Sequence, residues 1–394
     1  MDDTAAPSDY ASGSEESLAS DIGASLTGIA LFAASLLLID GVADDVSIGS
    51  LGGAVTVTSL GVAVAAIAAG AFFARRYDVL DRRLAAPIAA VASLAAVGVG
   101  GYALVSGTPT ADLAFGLSIL DISSFGVIVG GIGGVLAAVA DWLAISDDRL
   151  TSMTRTTVVS SGVGFLGYLA LNVASLLVYL VLWLTVWSEM TAMRQQLVGA
   201  LGLGIGTGVT ALAYIRLSDR EIDFLDLRVP SARDVGLAVL GIVVIFGGLI
   251  GLSYALQLIG VPSSSHSTVE QARQGNADIL LLLIPVSFLI IGPGEELLFR
   301  NIVQKSMYDA FSRPTAIVVA SLVFASVHIP AYGGFTPGVI GSLATIFTLS
   351  LVLGAFYALS DNVLVPAFIH GTLNAVQFAL LYVEISGYAP GLIV

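Results

Sequence analysis

Apolar runs long enough to cross a bilayer follow one another along nearly the whole chain, and no other feature restricts its fold as strongly. They lie near 22–39, 51–74, 85–105, 114–140, 157–187, 197–216, 235–259, 278–302, 314–330, 339–359 and 363–384. A helix needs roughly 17–25 apolar residues to traverse a hydrocarbon layer about 30 Å thick, so each run is a candidate span. The composition agrees, with 56% hydrophobic and 11% charged residues, where a soluble domain carries about 25% charged. The 44 glycines fit as well, because small residues let membrane helices approach closely. The expectation is an all-α, polytopic transmembrane helical bundle of about 11 spans. Two runs invite qualification. The fourth contains Asp121, which marks it as a half-span or re-entrant piece, and the fifth is long enough to tilt or break.

Orientation follows from the basic residues, which concentrate in cytoplasmic loops. With the N-terminus inside, the inner loops collect Arg75, Arg76, Arg82, Arg83, Arg149, Arg155, Arg216, Arg220, Arg228, Arg233, Lys305 and Arg313. Only Arg194 and Arg273 fall outside. The chain is therefore expected in the cell membrane, in contact with lipid, N-terminus inside.

Charge and residue usage exclude several functions. The net charge is −14, with 29 acidic and 15 basic residues, so nucleic acid is not an expected partner. Lys305 is the sole lysine, and an acidic, lysine-poor surface suggests a halophilic source. Without cysteine there can be no disulfide, thiolate zinc site or cysteine nucleophile. Residues 1–21 are polar and acidic and read as a disordered tail. Residues 22–156 form an N-terminal membrane domain of about four spans, Ala/Gly/Val-rich and almost free of buried ionisable groups. Residues 157–394 form the core, and its chemistry lies in 280–380. No internal repeat is visible, which counts against an inverted-repeat transporter.

Ionisable residues within membrane spans are costly and mark functional sites. Here they cluster in IGPGEELLFRNIVQ (291–304), LVFASVHIP (322–330) and VPAFIHGTLNAVQF (365–378). Glu296 and Arg300 stand four residues apart, on one helix face, and can pair. Glu295 points about 100° away from that face, and a carboxylate left without a partner in apolar surroundings suits a general base acting on water. Phe324 and His328 repeat the four-residue spacing, as do His370 and Asn374. A histidine with an amide can donate hydrogen bonds to a developing oxyanion. Counted from the turn near Ser312, Glu295 and His328 fall at similar depth, and His370 matches from the turn at 360–362. The overlong run 278–310 places all three in the inner half. HExxH, a phosphate loop and a GxSxG elbow are absent, and His266 reads as a solvated loop residue.

The succession EExxxR, FxxxH and HxxxN on three late helices resembles the CPBP intramembrane protease family, the CAAX-processing and bacteriocin-processing (Abi) group. The matching residues are Glu295, Glu296, Arg300, Phe324, His328, His370 and Asn374. Two positions depart from the family pattern: Asn301 stands where glycine often follows the arginine, and Ala358 where glutamate often follows the tyrosine. The resemblance implies that Glu295 and His328 hold and deprotonate a water. It further implies that His370 and Asn374 stabilise the oxyanion, while Glu296 and Arg300 order the site. The implied substrate is a membrane-anchored protein or peptide. The family is usually labelled metalloprotease, and Glu295, His328 and His370 could supply three ligands to Zn2+; a metal-free glutamate mechanism uses the same residues. A catalytically silent scaffold or immunity protein, and a proton-coupled transporter, are the other readings.

Overall fold

The computed structural model describes residues 18–39, 57–106, 112–114, 117–333 and 338–387. These residues are almost wholly helical; a short hairpin, β1 (Asp112–Ala114) with β2 (Leu117–Ser118), is the exception among them. Ten of the helices are long and apolar enough to cross a membrane. Many of their large apolar side chains face outward, among them Leu289, Ile250 and Val243. Water would penalise that much exposed apolar surface and lipid does not, so the chain is an integral membrane protein. The contacts divide into two units, 1–151 and 152–394.

In the first unit four helices pack together: α1 (Leu18–Ile39), α2 (Val57–Arg76), α3 (Arg82–Ser106) and α4 (Ile119–Trp142). Their interfaces are lined by alanine, including Ala34, Ala89, Ala96 and Ala138. A Cβ on Gly130 would sit 2.5 Å from the Leu26 carbonyl, so α1 and α4 touch backbone to backbone there. α1 begins at Leu18, so the last residues of the expected tail are helical. The Leu18 amide donates to Asp147, and Asp21 pairs with Arg76, which gives that first turn its anchors. Residues 1–17 lie outside the described residues.

Asp121 does not mark a half-span. It is the third residue of a continuous α4, where it closes a capping box with Ser118. Such a box satisfies amides that a helix start leaves unpaired. The unit also buries Asp141, 3.4 Å from Arg75, so it is less free of buried charge than its composition suggests, with both carboxylates at helix ends. The fifth run is neither split nor interrupted: α5 is one helix, Asp147–Thr185.

The second unit contains α6 (Ala192–Leu217), α7 (Ala232–Leu258), a short α8 (Ser267–Arg273) and α9 (Asp278–Asp309). It continues with α10 (Arg313–Ser326), α11 (Val339–Ser360) and α12 (Leu364–Ile385). The ninth candidate span, 314–330, is the one that falls short. α10 has 14 residues, about 21 Å of helix, which is less than a bilayer core. The chain then tightens into a 3-10 turn at Ile329–Tyr332, where Pro330 lacks the amide that would continue the α-helix. α9 is irregular in a different way, with π-helical stretches at Ser287–Ile291 and Leu297–Gln304 flanking the turn Gly292–Glu296. Pro285 and Pro293 remove two amides from this stretch, and π-bulges are common where helices carry function.

Candidate active site

α9 and α12 approach closely because both present glycine at the crossing. A Cβ on Gly292 would lie 2.6 Å from the Ala367 carbonyl, and one on Gly371 would lie 2.9 Å from Phe288 and 3.0 Å from the Ser287 carbonyl. Both contacts are far inside normal separation, so any larger residue would push the helices apart. This crossing brings His370 against the double glutamate. His370 Nδ1 and Glu296 Oε1 are 2.9 Å apart, and the other carboxylate oxygen, Oε2, accepts from Arg300 Nε at 2.8 Å. Glu296 and Arg300 are both fully buried, so the pairing expected from their spacing is formed within the protein interior.

Arg300 is held on three sides. Its Nη1 donates to Ser350 of α11 at 2.9 Å, and its guanidinium carbon lies 4.8 Å from the centre of the Phe324 ring. Its Nη2 is buried with no partner among the described residues. Ser350 is invisible as a site residue in the sequence, being one serine in an apolar helix. Phe324 sits at the centre of the cluster, its ring 4.6 Å from His328 and 6.2 Å from His370. Phe324 thus lies against the arginine and within reach of both imidazoles.

Glu295 takes the other side of the helix turn. Its carboxylate is 3.9 Å from His370 Nε2 and keeps 17% of its side-chain surface exposed, while Glu296 one residue on has none. The ionic partner belongs to Glu296 and the open position to Glu295. His370 therefore bonds Glu296 through Nδ1 and turns Nε2 toward Glu295, 3.9 Å away. With Nδ1–H donating to the paired Glu296, the neutral ring directs its Nε2 lone pair at Glu295, and the imidazolium directs a proton there. Asn374, one turn further on, is half-buried and makes no side-chain hydrogen bond among the described residues.

His328 caps the turn after α10. Its Nδ1 is 2.7 Å from the Phe324 carbonyl, so that nitrogen carries the proton and Nε2 is left to accept from a water. The chain between α7 and α9 closes over this region. His266 differs from the solvated residue expected from the sequence: it is partly buried, its ring edge-on to Tyr332 at 5.4 Å, and its Nδ1 accepts from the Thr268 amide at 3.1 Å. Burial, and secondarily the nearby His328, hold its pKa down at about 4. His266 is therefore neutral at neutral pH, with its proton on Nε2. Its surroundings in the sequence, VPSSSHSTVE, look like an ordinary polar loop and gave no sign of this burial.

Asn301 explains one departure from the family pattern. Its Nδ2 has the Phe224 carbonyl (3.0 Å), Tyr357 Oη (3.0 Å) and Asp226 Oδ2 (3.3 Å) within hydrogen-bonding distance, three acceptors sharing its two hydrogens. The same Asp226 oxygen accepts from Lys305 Nζ at 2.7 Å and from Tyr357 Oη at 2.6 Å. Asp226 itself sits in the left-handed region, φ 48°. The network ties the segment before α7 to α9 just beyond the Glu295–Glu296 turn, and to α11. A glycine at 301 could make none of its side-chain bonds.

Among the described residues no three His, Asp or Glu side chains lie close enough together to hold a metal ion. Glu295, His328 and His370 as arranged do not form the ligand set that zinc requires.

Fold and site together define a class: a polytopic helical membrane protein with a buried carboxylate, guanidinium and imidazole cluster among its late helices. Residues 277–376 match the family model of Type II CAAX prenyl endopeptidase Rce1-like proteins, in agreement with the CPBP resemblance of the three motifs, and the matched segment contains every motif residue. No curated protein and no solved structure gives a significant match to the chain.

Proposed function

We propose that the protein is an intramembrane endopeptidase that hydrolyses a peptide bond of a membrane-anchored protein or peptide. The observation that carries this reading is the division of labour between adjacent glutamates. Glu296 is neutralised by Arg300 and His370, and Glu295 beside it is left open and within 3.9 Å of the same imidazole. Water activation needs a carboxylate that is not tied up in an ion pair, and Glu295 supplies one. Glu295 takes a proton from a water held also by His328 Nε2, and the hydroxide attacks the scissile carbonyl carbon. Asn374 Nδ2 and the protonated Nε2 of His370 donate to the resulting oxyanion. Collapse breaks the C–N bond, and Glu295 returns its proton to the departing nitrogen, leaving an acid and an amine. Glu296 and Arg300 keep His370 oriented throughout.

The test is cleavage of a panel of single-span peptides by the full chain in detergent, with fragments sized by mass spectrometry. A matched pair of fragments from at least one substrate is expected. Activity should survive 1,10-phenanthroline in protein that metal analysis finds free of zinc. No cleavage of any panel member by protein of proven fold would sink the proposal, and loss of activity to the chelator with recovery on adding zinc would replace the metal-free route.

For the depth of the site we propose an alternative to the inner half expected from the sequence. His328 lies beyond the end of α10, more than about 21 Å from the Ser312 turn, past the middle of a hydrocarbon layer about 30 Å thick. We place the entrance at the α8 end, opposite the turn bearing Arg313. Because the chain has no cysteine, Ser267→Cys gives a single label site. The basic loops place that site outside, so a membrane-impermeant maleimide should label it in intact cells. Labelling only after the cells are opened would reverse the orientation.

A further inference from the structure

A cavity of about 420 Å3 lies at the α8 end of the second unit and takes no part in the chemistry above. Its walls include Gln195 and Gln196 from the first turn of α6, Glu270, Gln271 and Gln274 from α8 and the loop after it, and Tyr332. The glutamines are organised. Gln196 Nε2 donates to Gln271 Oε1 at 2.7 Å, and Gln271 Nε2 donates to Gln195 Oε1 at 3.0 Å. This relay of three amides leaves an NH2 at Gln195 and a carbonyl at Gln196 facing the cavity. Turning all three amides over exchanges the two ends but still leaves one donor and one acceptor. A wall that offers a donor and an acceptor side by side matches the alternating N–H and C=O of an extended polypeptide.

Charge adds selectivity. Glu270 is the single formal charge among the described lining residues, so the cavity attracts a cationic side chain and repels a carboxylate. Its position relative to the chemistry is set by one short turn. Tyr332 belongs to the 3-10 turn that His328 caps, and four residues at about 2 Å each separate the two by roughly 8 Å. An extended peptide covers that distance in two to three residues, at about 3.3 Å each.

We propose that this amide-lined cavity is a subsite for a polar, extended stretch of the polypeptide substrate. It binds a few residues away from the bond that is cut and prefers a basic over an acidic side chain. The inference rests on the endopeptidase reading, and its test does not require cleavage. Full-length Glu295→Gln protein in detergent is titrated into three fluorescein-labelled, C-amidated pentapeptides of Gly, Ser and Gln with Lys, Gln or Asp at the centre. Fluorescence anisotropy should rank them Lys, then Gln, then Asp, with about tenfold between the extremes.

Adding Gln271→Leu, which breaks the relay at its middle, should weaken all three about tenfold, the scale of one well-made hydrogen bond. Adding Glu270→Gln, an exposed rim change that leaves the relay in place, should erase the Lys-over-Asp preference while the Gln peptide binds as before. No saturable binding of any probe, or a Lys preference that survives Glu270→Gln, would overturn the subsite, as would equal binding with and without Gln271→Leu. If Gln271→Leu does not fold, the Glu270→Gln arm decides alone. Should the endopeptidase reading fail, no substrate would be cut while this binding pattern stood. Should the subsite alone fail, cutting would persist without it.

Discussion

Glu295→Gln is expected to lower the cleavage rate by about 10²–10⁴-fold, the usual range for removing a general base, while leaving the protein as stable as wild type. The two halves of that expectation come from one geometric fact. Glu295 is 17% exposed and stands 3.9 Å from His370, outside hydrogen-bonding distance, so the amide introduces no unpaired charge and breaks no bond that holds helices together. The chemistry should fail because glutamine cannot accept the proton of an attacking water. Rates measured on a tethered peptide, together with a thermal unfolding curve in detergent, check both halves. A mutant that unfolds early would mean that Glu295 is structural. One that cuts at the wild-type rate would remove it from the mechanism.

Arg300→Met is expected to behave in the opposite manner, costing about 3–5 kcal/mol of stability because a buried carboxylate loses its countercharge. Every contact of Arg300 described above is internal: Glu296 on α9, Ser350 on α11 and the Phe324 ring on α10. Removing the guanidinium exposes Glu296 to an apolar interior with only His370 left to compensate. The double variant Glu296→Gln/Arg300→Met should recover part of the loss, since no charge is then stranded. Denaturant unfolding of the single and double variants in the same micelles measures the difference. A single variant within about 0.5 kcal/mol of wild type, the range of ordinary surface substitutions, would show that water reaches the pair.

The contrast between these neighbours shows how far a sequence can be read. Glu296 and Arg300 were recognisable as a pair because an α-helix places residues four apart on one face, whatever surrounds them. The same periodicity brought out Phe324 with His328 and His370 with Asn374. Ser350 could not be found this way. Its role arises from the approach of α11 to α9, and a serine in an apolar helix carries no mark of that approach. His266 was misread for a related reason: a polar loop looks solvated until the turn that buries it, here the one ending at Tyr332, is in place. The 314–330 run is apolar beyond its helix, because hydropathy counts apolar residues and does not register that the helix stops at Ser326.

The sequence by itself determined that the chain is helical and membrane-bound, because apolar runs of bilayer length admit little else. It also singled out the few ionisable side chains in such runs, which are too costly to be incidental. Only the tertiary structure decided how those residues pair. Gly292 and Gly371 let α9 and α12 come close enough for His370 to reach both glutamates, and that single approach assigns the ion pair to Glu296 and the open position to Glu295. Local spacing follows from the geometry of one helix, whereas the pairing of two carboxylates with one imidazole depends on the distance between helices, which small residues far apart in the chain set together.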